Sequence, residues 1–128
     1  MTTRKLKALI VDDATTVRMY HRALVEQQGW ETVEAENGVE ALEKALETHV
    51  DVMFVDVNMP VMDGYTFIKT ARQSETLGHI PAVMISTEAQ LVDQDKAYAA
   101  GANHYLIKPA TPDDIAILLK LLVPKELP

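Results

Sequence analysis

Several absences narrow the possible functions of this 128-residue chain. It has no cysteine, which excludes disulfides and thiolate metal sites. Its 12 basic residues are outnumbered by 19 acidic ones, and the net charge of −7 disfavours nucleic acid as a direct partner. No apolar run approaches the ~18 residues of a membrane span, and the run Ala8–Val11 is too short for a signal peptide. We therefore expect a cytoplasmic protein with no membrane partner.

The length and the 48% content of hydrophobic residues fit one domain with a substantial core. We expect this domain to span residues 1–128, with its core at about 5–123 and a short tail at 124–128.

Short apolar runs alternate with helical patterns along the whole chain. The predicted strands are Leu6–Val11, Glu31–Ala35, Val50–Val55, Ala82–Ile85 and His104–Ile107. The predicted helices are Ala14–Gln28, Val39–Thr48, Tyr65–Gln73, Ala89–Ala100 and a last one capped by Thr111. Alternation of this kind predicts an α/β fold, a doubly wound (βα)5 domain. Right-handed crossovers favour a flavodoxin-like parallel sheet in the order 2-1-3-4-5.

Polar residues stand where the predicted strands end: Asp12 and Asp13, Asp56, Ser86 and Lys108. In a parallel sheet these ends share one edge, so the side chains are expected to meet. Three carboxylates in one cleft repel each other, and a divalent cation relieves that repulsion. Oxygen ligands without His or Cys suit Mg²⁺, which in turn suggests phosphoryl chemistry with a carboxylate as nucleophile. Taken alone, either acidic element also fits helix capping or a turn.

Four segments carry a resemblance to a known family: V-D-D at 11–13, D-V-N-M-P-V-M-D-G at 56–64, P-A-V-M-I-S-T-E-A at 81–89 and G-A-N-H-Y-L-I-K-P at 101–109. In this order and at these spacings the chain resembles a response-regulator receiver domain. It is most similar to the single-domain chemotaxis members of that family. The resemblance covers essentially the whole chain.

The resemblance implies a role for each matching residue at the acidic edge. Asp56 would be the phosphoacceptor, assisted by Lys108. Asp13 and Asp56 would bind Mg²⁺ directly, Asp12 through water, and Asn58 through its backbone carbonyl. The family also implies a cis peptide between Lys108 and Pro109.

Further residues would transmit and time the signal. Ser86 would be the switch hydroxyl and Tyr105 the switch aromatic, while Thr87 stands where a small alanine is usual and would crowd the switch loop. Asn58 and Glu88 occupy the two positions that tune the phosphoryl lifetime and imply fairly quick autodephosphorylation.

A partner surface is expected on the fourth helix, fifth strand and fifth helix. On a helical wheel Ile117 and Leu121 fall outside the apolar face of the last helix, which ordinary scattered exposure also explains. The expected surface residues are Leu91, Tyr98, Tyr105, Ile117 and Leu121. The four histidines show no ligand spacing, and surface positions are expected for them.

These observations predict a two-component signalling switch rather than an enzyme that acts on other molecules. A sensor histidine kinase would donate the phosphoryl group. The output would be the binding of another protein, with the flagellar motor switch as the expected target. The chain is expected to be a monomer or a phosphorylation-dependent dimer. Alternatives in the same class are a phosphorelay carrier and a receiver cut from a longer regulator. An aspartyl-nucleophile phosphatase is disfavoured because position 58 is Asn rather than Asp. A cofactor-binding flavodoxin-like module is disfavoured because the acids after the first strand would repel a phosphate in the absence of metal. A constitutive binding module is a further, less favoured alternative.

Overall fold

The computed structural model describes residues 5–123, so the predicted tail at 124–128 lies outside the described residues. The strands are β1 (Lys7–Val11), β2 (Glu31–Ala35), β3 (Val52–Asp56), β4 (Ala82–Ser86) and β5 (His104–Ile107). The helices are α1 (Thr15–Glu26), α2 (Gly38–Glu47), α3 (Gly64–Gln73), α4 (Leu91–Ala100) and α5 (Pro112–Leu122). No helix in this part of the chain is long and apolar enough to cross a bilayer.

All five strands run parallel in the order β2-β1-β3-β4-β5, which confirms the predicted topology. The three central strands are almost wholly buried, because helices cover both faces of the sheet. Strand β2 forms one edge and is only half-buried, in agreement with its alternating sequence.

Two apolar clusters lie on opposite faces of the sheet. One packs beneath α2, α3 and α4 and is centred on Phe67, Ile68 and Met84. The other packs beneath α1 and α5 and is centred on Phe54, Val25 and Ile115. The fifth helix buries Ile115, Leu118 and Leu119 and leaves Ile117 and Leu121 exposed, at 56% and 70%.

Several element boundaries differ by one or two residues from the sequence-based prediction, and the differences in β3 and α4 bear on the carboxyl edge of the sheet. Strand β3 begins at Val52 rather than Val50 and continues through Asp56, because Asp56 pairs in register with Ile85 of β4. Helix α4 begins at Leu91 rather than Ala89, which leaves residues 87–90 as a loop beside the end of β4. Both shifts bring more of the chain to the carboxyl edge of the sheet.

Helix ends follow the local sequence signals. Asn37 and Asp63 accept hydrogen bonds from the backbone N–H groups of Glu40 and Thr66 and so cap α2 and α3. Thr111 forms a reciprocal capping box with Asp114 at the start of α5. Gly101 ends α4 with a φ of +115°, a backbone conformation that glycine adopts without strain.

One histidine contradicts the expected surface positions. His21 of α1 is 98% buried, and in the described part of the chain its Nε2 has no hydrogen-bond partner. It lies one turn after Val17, on the side of α1 that also buries Leu24 and Val25. The polar residue therefore occupies a position on the packed face of the helix, which an amphipathic pattern assigns to an apolar side chain.

Candidate functional site

The acidic edge forms because β1 and β3 are neighbours in the sheet and both end in aspartates. Asp12 directly follows β1 and is 2% exposed, whereas Asp13 is exposed. Asp56 is the last residue of β3 and is 7% exposed. One carboxylate oxygen from each of the three lies within 4.8 Å of the others, so the structure brings together the three acids that the sequence pointed to.

Lys108 lies at the centre of this cluster. Its Nζ is 2.9 Å from Asp56 Oδ1 and 3.0 Å from Asp12 Oδ2. The backbone N–H of Lys108 donates to the Ser86 carbonyl at 2.7 Å. This bond connects the residue that follows β5 with the last residue of β4. The Lys108–Pro109 peptide is cis, which confirms the expectation from the family.

Burial and charge shift the pKa values of this pair. Burial raises the pKa of Asp56, and the neighbouring Asp12 adds to that rise, while hydrogen bonds from Lys108 and from the Val57 N–H oppose it without cancelling it. Burial alone would lower the pKa of Lys108, but the hydrogen bonds and charges of Asp56 and Asp12 together raise it. Lys108 therefore stays charged, and its charge compensates that of Asp56 only in part.

Arg18 and Gly64 help to hold the aspartates in place, and sequence analysis did not single them out for this. Arg18 donates from Nη1 to the Asp12 carbonyl at 2.7 Å and from Nε to Glu34 Oε1 at 2.8 Å. A Cβ at position 64 would collide with the backbone oxygen of Asp56, so only glycine allows this approach. In the sequence, the Asp63-Gly64 pair already indicated a turn at Gly64. The contact of Arg18 with Glu34 has no such local pattern, because it depends on the pairing of β1 with β2.

The hydroxyl and aromatic residues assigned to the switch lie beside the cluster. Ser86 is 1% exposed, and its Oγ accepts a hydrogen bond from the Glu88 N–H at 3.1 Å. Tyr105 donates from its hydroxyl to the Glu88 carbonyl at 2.7 Å. Thr87, which lies between Ser86 and Glu88 in the chain, is exposed. Residue 88 thus links the two side chains through its backbone.

Tyr105 requires a correction, because it was expected on the exposed partner surface. It is only 7% exposed, since its ring packs into the core and its hydroxyl is bonded to Glu88. The other four expected surface residues are exposed, namely Leu91, Tyr98, Ile117 and Leu121. Val92 and Ile107 are exposed as well, at 57% and 41%, and sequence analysis did not include them.

The two residues assigned to lifetime control lie at the rim of the site. Asn58 follows Asp56 by two residues and is exposed, as is the side chain of Glu88. Both side chains are open to solvent, and their effect on phosphoryl lifetime stays a prediction.

Comparison with known proteins gives this edge its context. The family model described as the response regulator receiver domain matches residues 8–120. The chain belongs to the response-regulator receiver family. As a receiver domain it is part of two-component signalling, and its acidic edge coincides with the ends of the strands that the family model covers.

Relatives of this receiver domain include chemotaxis proteins. It is 38% identical to the chemotaxis protein CheY1 of Helicobacter pylori, over 92% of this chain and 97% of that protein. It is 31% identical to the protein PilG of Pseudomonas aeruginosa, over 96% of this chain and 91% of that protein.

Solved structures show the same fold. The chemotaxis protein CheY4 of Vibrio cholerae is similar with a TM-score of 0.87 and 33% identity, over 94% of this chain and 100% of that one. A response regulator of Chloroflexus aurantiacus is similar with a TM-score of 0.90 and 30% identity, over 95% and 100% of the two chains. The five-stranded order and the five helices of the receiver domain agree with these neighbours.

Proposed function

We propose that the protein is a phosphorylation-dependent switch that accepts a phosphoryl group on Asp56 from a sensor histidine kinase. The observation that carries this proposal is the position of the Asp56 carboxylate. It ends a buried strand, lies 2.9 Å from the Lys108 ammonium and shares a cluster with Asp12 and Asp13. Burial raises the pKa of Asp56 and so disfavours its charged form, and buried acids with such shifts concentrate at functional sites.

The carboxylate is arranged for nucleophilic attack on phosphorus. Both hydrogen bonds described for its side chain, from Val57 N–H and from Lys108, fall on Oδ1. Oδ2 is then the oxygen that attacks. Its lone pair forms the P–O bond while the P–N bond of the phosphohistidine breaks, and the electron pair of that bond stays on the imidazole nitrogen. Lys108 is placed to bind a phosphoryl oxygen as a point charge.

The donor set also fits Mg²⁺. Three carboxylate oxygens within 4.8 Å of one another, without nitrogen or sulfur donors, are hard ligands of the kind that Mg²⁺ prefers. Asp12, Asp13 and Asp56 would hold the ion, together with the Asn58 backbone carbonyl. When bound, it neutralises negative charge on the carboxylates and on the phosphoryl oxygens.

The switch would run through the loop that follows β4. A phosphoryl group on Asp56 offers new acceptor oxygens to the Ser86 hydroxyl, which at present is bonded to the Glu88 N–H. Movement of residues 87–88 would alter the bond between the Glu88 carbonyl and Tyr105, and with it the adjoining surface. Tyr105 already points inward in the unphosphorylated chain. Phosphorylation would therefore increase the population of a conformation that this chain also adopts without it.

The output would be the binding of another protein at the surface formed by α4, β5 and α5. Leu91 and Leu121 there are 75% and 70% exposed, and Tyr98 and Ile117 are also open to solvent. The relatives named as chemotaxis proteins support a chemotaxis-type pathway, with the flagellar motor switch as the partner. Enzymatic activity would be limited to self-phosphorylation and to autodephosphorylation, with Asn58 and Glu88 setting its rate.

A second candidate is the receiver of a longer regulator or of a phosphorelay. The observation in its favour is the match to the transcriptional regulatory protein ResD of Bacillus subtilis, with 31% identity over 94% of this chain but only 49% of that protein. The chemistry at Asp56 would be the same, and only the output would differ.

The proposal is tested by incubating the purified protein with acetyl phosphate and Mg²⁺ and measuring its intact mass and amide NMR shifts. We expect one phosphoryl adduct, lost in Asp56→Asn and after chelation, with shifts that reach Tyr105 and α5. Asp63→Asn is the matched control, because Asp63 caps α3 in the same loop but stands outside the metal cluster. An adduct that persists in Asp56→Asn, or no adduct in any variant, would overturn the proposal.

A further inference from the structure

Arg18 of α1 connects three elements beside the acidic cluster, and its side chain is only 12% exposed. Its Nη1 donates to the Asp12 carbonyl at the end of β1 at 2.7 Å, and its Nε donates to Glu34 Oε1 of β2 at 2.8 Å. Because the guanidinium group is planar and rigid, the two bonds hold the Asp12 carbonyl at a fixed position relative to β2.

The carboxylate of Glu34 is a firm anchor for this arginine. Its second oxygen, Oε2, accepts a hydrogen bond from Arg22 Nη1 at 2.7 Å, so both oxygens are engaged. The hydrogen bonds from Arg22 and Arg18 lower the pKa of Glu34, and the carboxylate stays ionised near neutral pH. The next residue of β2, Ala35, accepts the Asp12 N–H at 3.1 Å. The anchor and the residue that it positions are therefore joined through the sheet as well.

Each hydrogen-bonding group of Asp12 has a partner. Its N–H donates to Ala35, and its Oδ1 accepts from the Ala14 N–H at 2.9 Å. Its Oδ2 lies 3.0 Å from Lys108 Nζ. The bond from Arg18 engages the remaining group, the carbonyl. Asp12 is therefore held at a fixed place in the acidic cluster.

The bond from Arg18 also bears on Asp13. The carbonyl of Asp12 and the N–H of Asp13 belong to one planar peptide group, so a donor that fixes the carbonyl also fixes where the Asp13 backbone begins. Asp13 is exposed, and one of its carboxylate oxygens lies within 4.8 Å of those of Asp12 and Asp56. Arg18 therefore contributes to the spacing of the carboxylates without touching a carboxylate of the cluster.

We propose that Arg18, anchored by Glu34, is a positioning residue for the magnesium site and gives that site a preference for Mg²⁺ over Ca²⁺. Mg²⁺ requires a nearly octahedral set of ligands at about 2.0–2.1 Å, whereas Ca²⁺ accepts longer and more variable arrangements. Ligands whose spacing is held by a rigid donor favour the smaller ion. The inference rests on the proposed function, because it needs the acidic cluster to bind Mg²⁺.

The positive charge of Arg18 acts in the opposite direction from its positioning role. A guanidinium group beside a cation site repels the cation, so loss of the charge alone should strengthen the binding of both ions to a similar degree. Loss of positioning should instead weaken Mg²⁺ binding more than Ca²⁺ binding. The ratio of the two dissociation constants therefore reports the spacing of the ligands, since a change of charge affects two divalent ions alike.

The test measures the dissociation constants of Mg²⁺ and Ca²⁺ by amide NMR titration of the full unphosphorylated chain. We expect Arg18→Met to bind Mg²⁺ about tenfold more weakly than the wild type and Ca²⁺ less than about threefold more weakly, as for other residues that orient metal ligands. Arg18→Lys keeps the charge but not the planar pair of donors, so it should lose the Mg²⁺ preference as well. Arg22→Met is the matched control, because Arg22 bonds the same carboxylate from the next turn of α1, and it should keep the wild-type ratio.

A variant of the anchor keeps the test decisive if the Arg18 variants fold poorly. Glu34→Met leaves Arg18 in place and should lower the preference for Mg²⁺ at least about threefold. An unchanged ratio in these variants, with normal Mg²⁺ binding by the wild type, would overturn this inference and leave the proposed function intact. Stronger binding of both ions to Arg18→Met at an unchanged ratio would show that the arginine acts through its charge alone. Absence of Mg²⁺ binding by the wild type would overturn both proposals.

Discussion

Individual side chains in this domain hold charge or polarity at positions where burial makes it costly. Asp56 does so at the end of a central strand, where Lys108 offsets part of the cost and a cation would offset more. His21 does so on the packed face of α1, where no described residue pairs with its Nε2. The first case belongs to the proposed phosphorylation site, and the second creates a dependence of stability on pH.

The pH dependence follows from the lowered pKa of His21. Burial is the main cause, with Lys108 adding to the decrease and Asp12 opposing it. The folded state therefore favours the neutral imidazole, so its contribution to stability is intact above the ordinary value of 6.5. As the pH falls below that value, the unfolded chain gains a proton that the folded chain resists, and stability is lost until the folded-state pKa is reached.

We expect the melting temperature of the wild type to fall more than that of His21→Leu between about pH 7.5 and about pH 5.5. His21→Leu should also be the more stable protein by about 1 kcal/mol near neutral pH, because it leaves no buried nitrogen unpaired. Thermal unfolding followed by circular dichroism measures both quantities. His79→Leu, at an exposed histidine, is the control and should keep the wild-type pH profile. Parallel pH profiles for wild type and His21→Leu would contradict the explanation.

At the scale of elements, one arginine connects the end of α3 to three neighbouring segments. Arg72 donates to the carbonyls of Gly101 and Ile80 at 2.9 and 2.8 Å and to Asn103 Oδ1 at 3.0 Å. Asn103 Oδ1 also accepts the Ala82 N–H at 2.9 Å, so the same contacts fix the start of β4. This network positions the end of the sheet opposite the acidic cluster. Gly101, whose φ of +115° favours glycine, also leaves room for the Arg72 side chain.

We expect Arg72→Met to lower the free energy of unfolding by about 2–3 kcal/mol, because it leaves buried carbonyl groups without donors. Lys69→Met, at an exposed position of the same helix, should change it by less than about 0.5 kcal/mol. Urea unfolding of the two variants and the wild type gives the comparison. A loss for Arg72→Met no greater than that for Lys69→Met would mean that the network adds nothing to stability.

For the whole molecule, the acidic edge is a concentration of like charge that a cation should relieve. The folded state brings Asp12, Asp13 and Asp56 together from separate parts of the sequence, whereas the unfolded chain keeps Asp56 apart from the other two. A cation that prefers this cluster therefore binds the folded state and stabilises it by mass action.

We expect Mg²⁺ to raise the melting temperature, by an amount that corresponds to about 2.7 kcal/mol when its concentration reaches about 100 times the dissociation constant. EDTA should reverse the rise, and Asp13→Asn should weaken it. The control is Asp113→Asn, an exposed acid in the first turn of α5 that stands outside the cluster. A Mg²⁺ response that is equal in Asp13→Asn and Asp113→Asn would place the cation elsewhere.

Much of the fold and of the acidic edge was predictable because both depend on local patterns. Uninterrupted runs such as Val52–Val55 indicate strands buried on both faces, and Thr111-Pro112 marks a helix start. Once the strand order is known, Asp12, Asp56 and Lys108 must share one edge. The start of α4 was less predictable, because residues 87–90 carry helix-compatible side chains and it is the bonds of the Glu88 backbone to Ser86 and Tyr105 that hold this segment in a loop.

The sequence by itself determined the alternation of strands and helices, the identity of the residues at the carboxyl edge and the family of the domain. Each of these depends only on short segments and on the spacing between them. The tertiary structure alone decided which of the apolar and polar side chains are accessible. Tyr105 is inward because Glu88 offers its carbonyl across the sheet edge, Arg18 reaches Glu34 because β1 pairs with β2, and His21 is buried because α1 packs on the sheet beside α5. These outcomes depend on contacts between residues far apart in the chain, and a local pattern does not contain them.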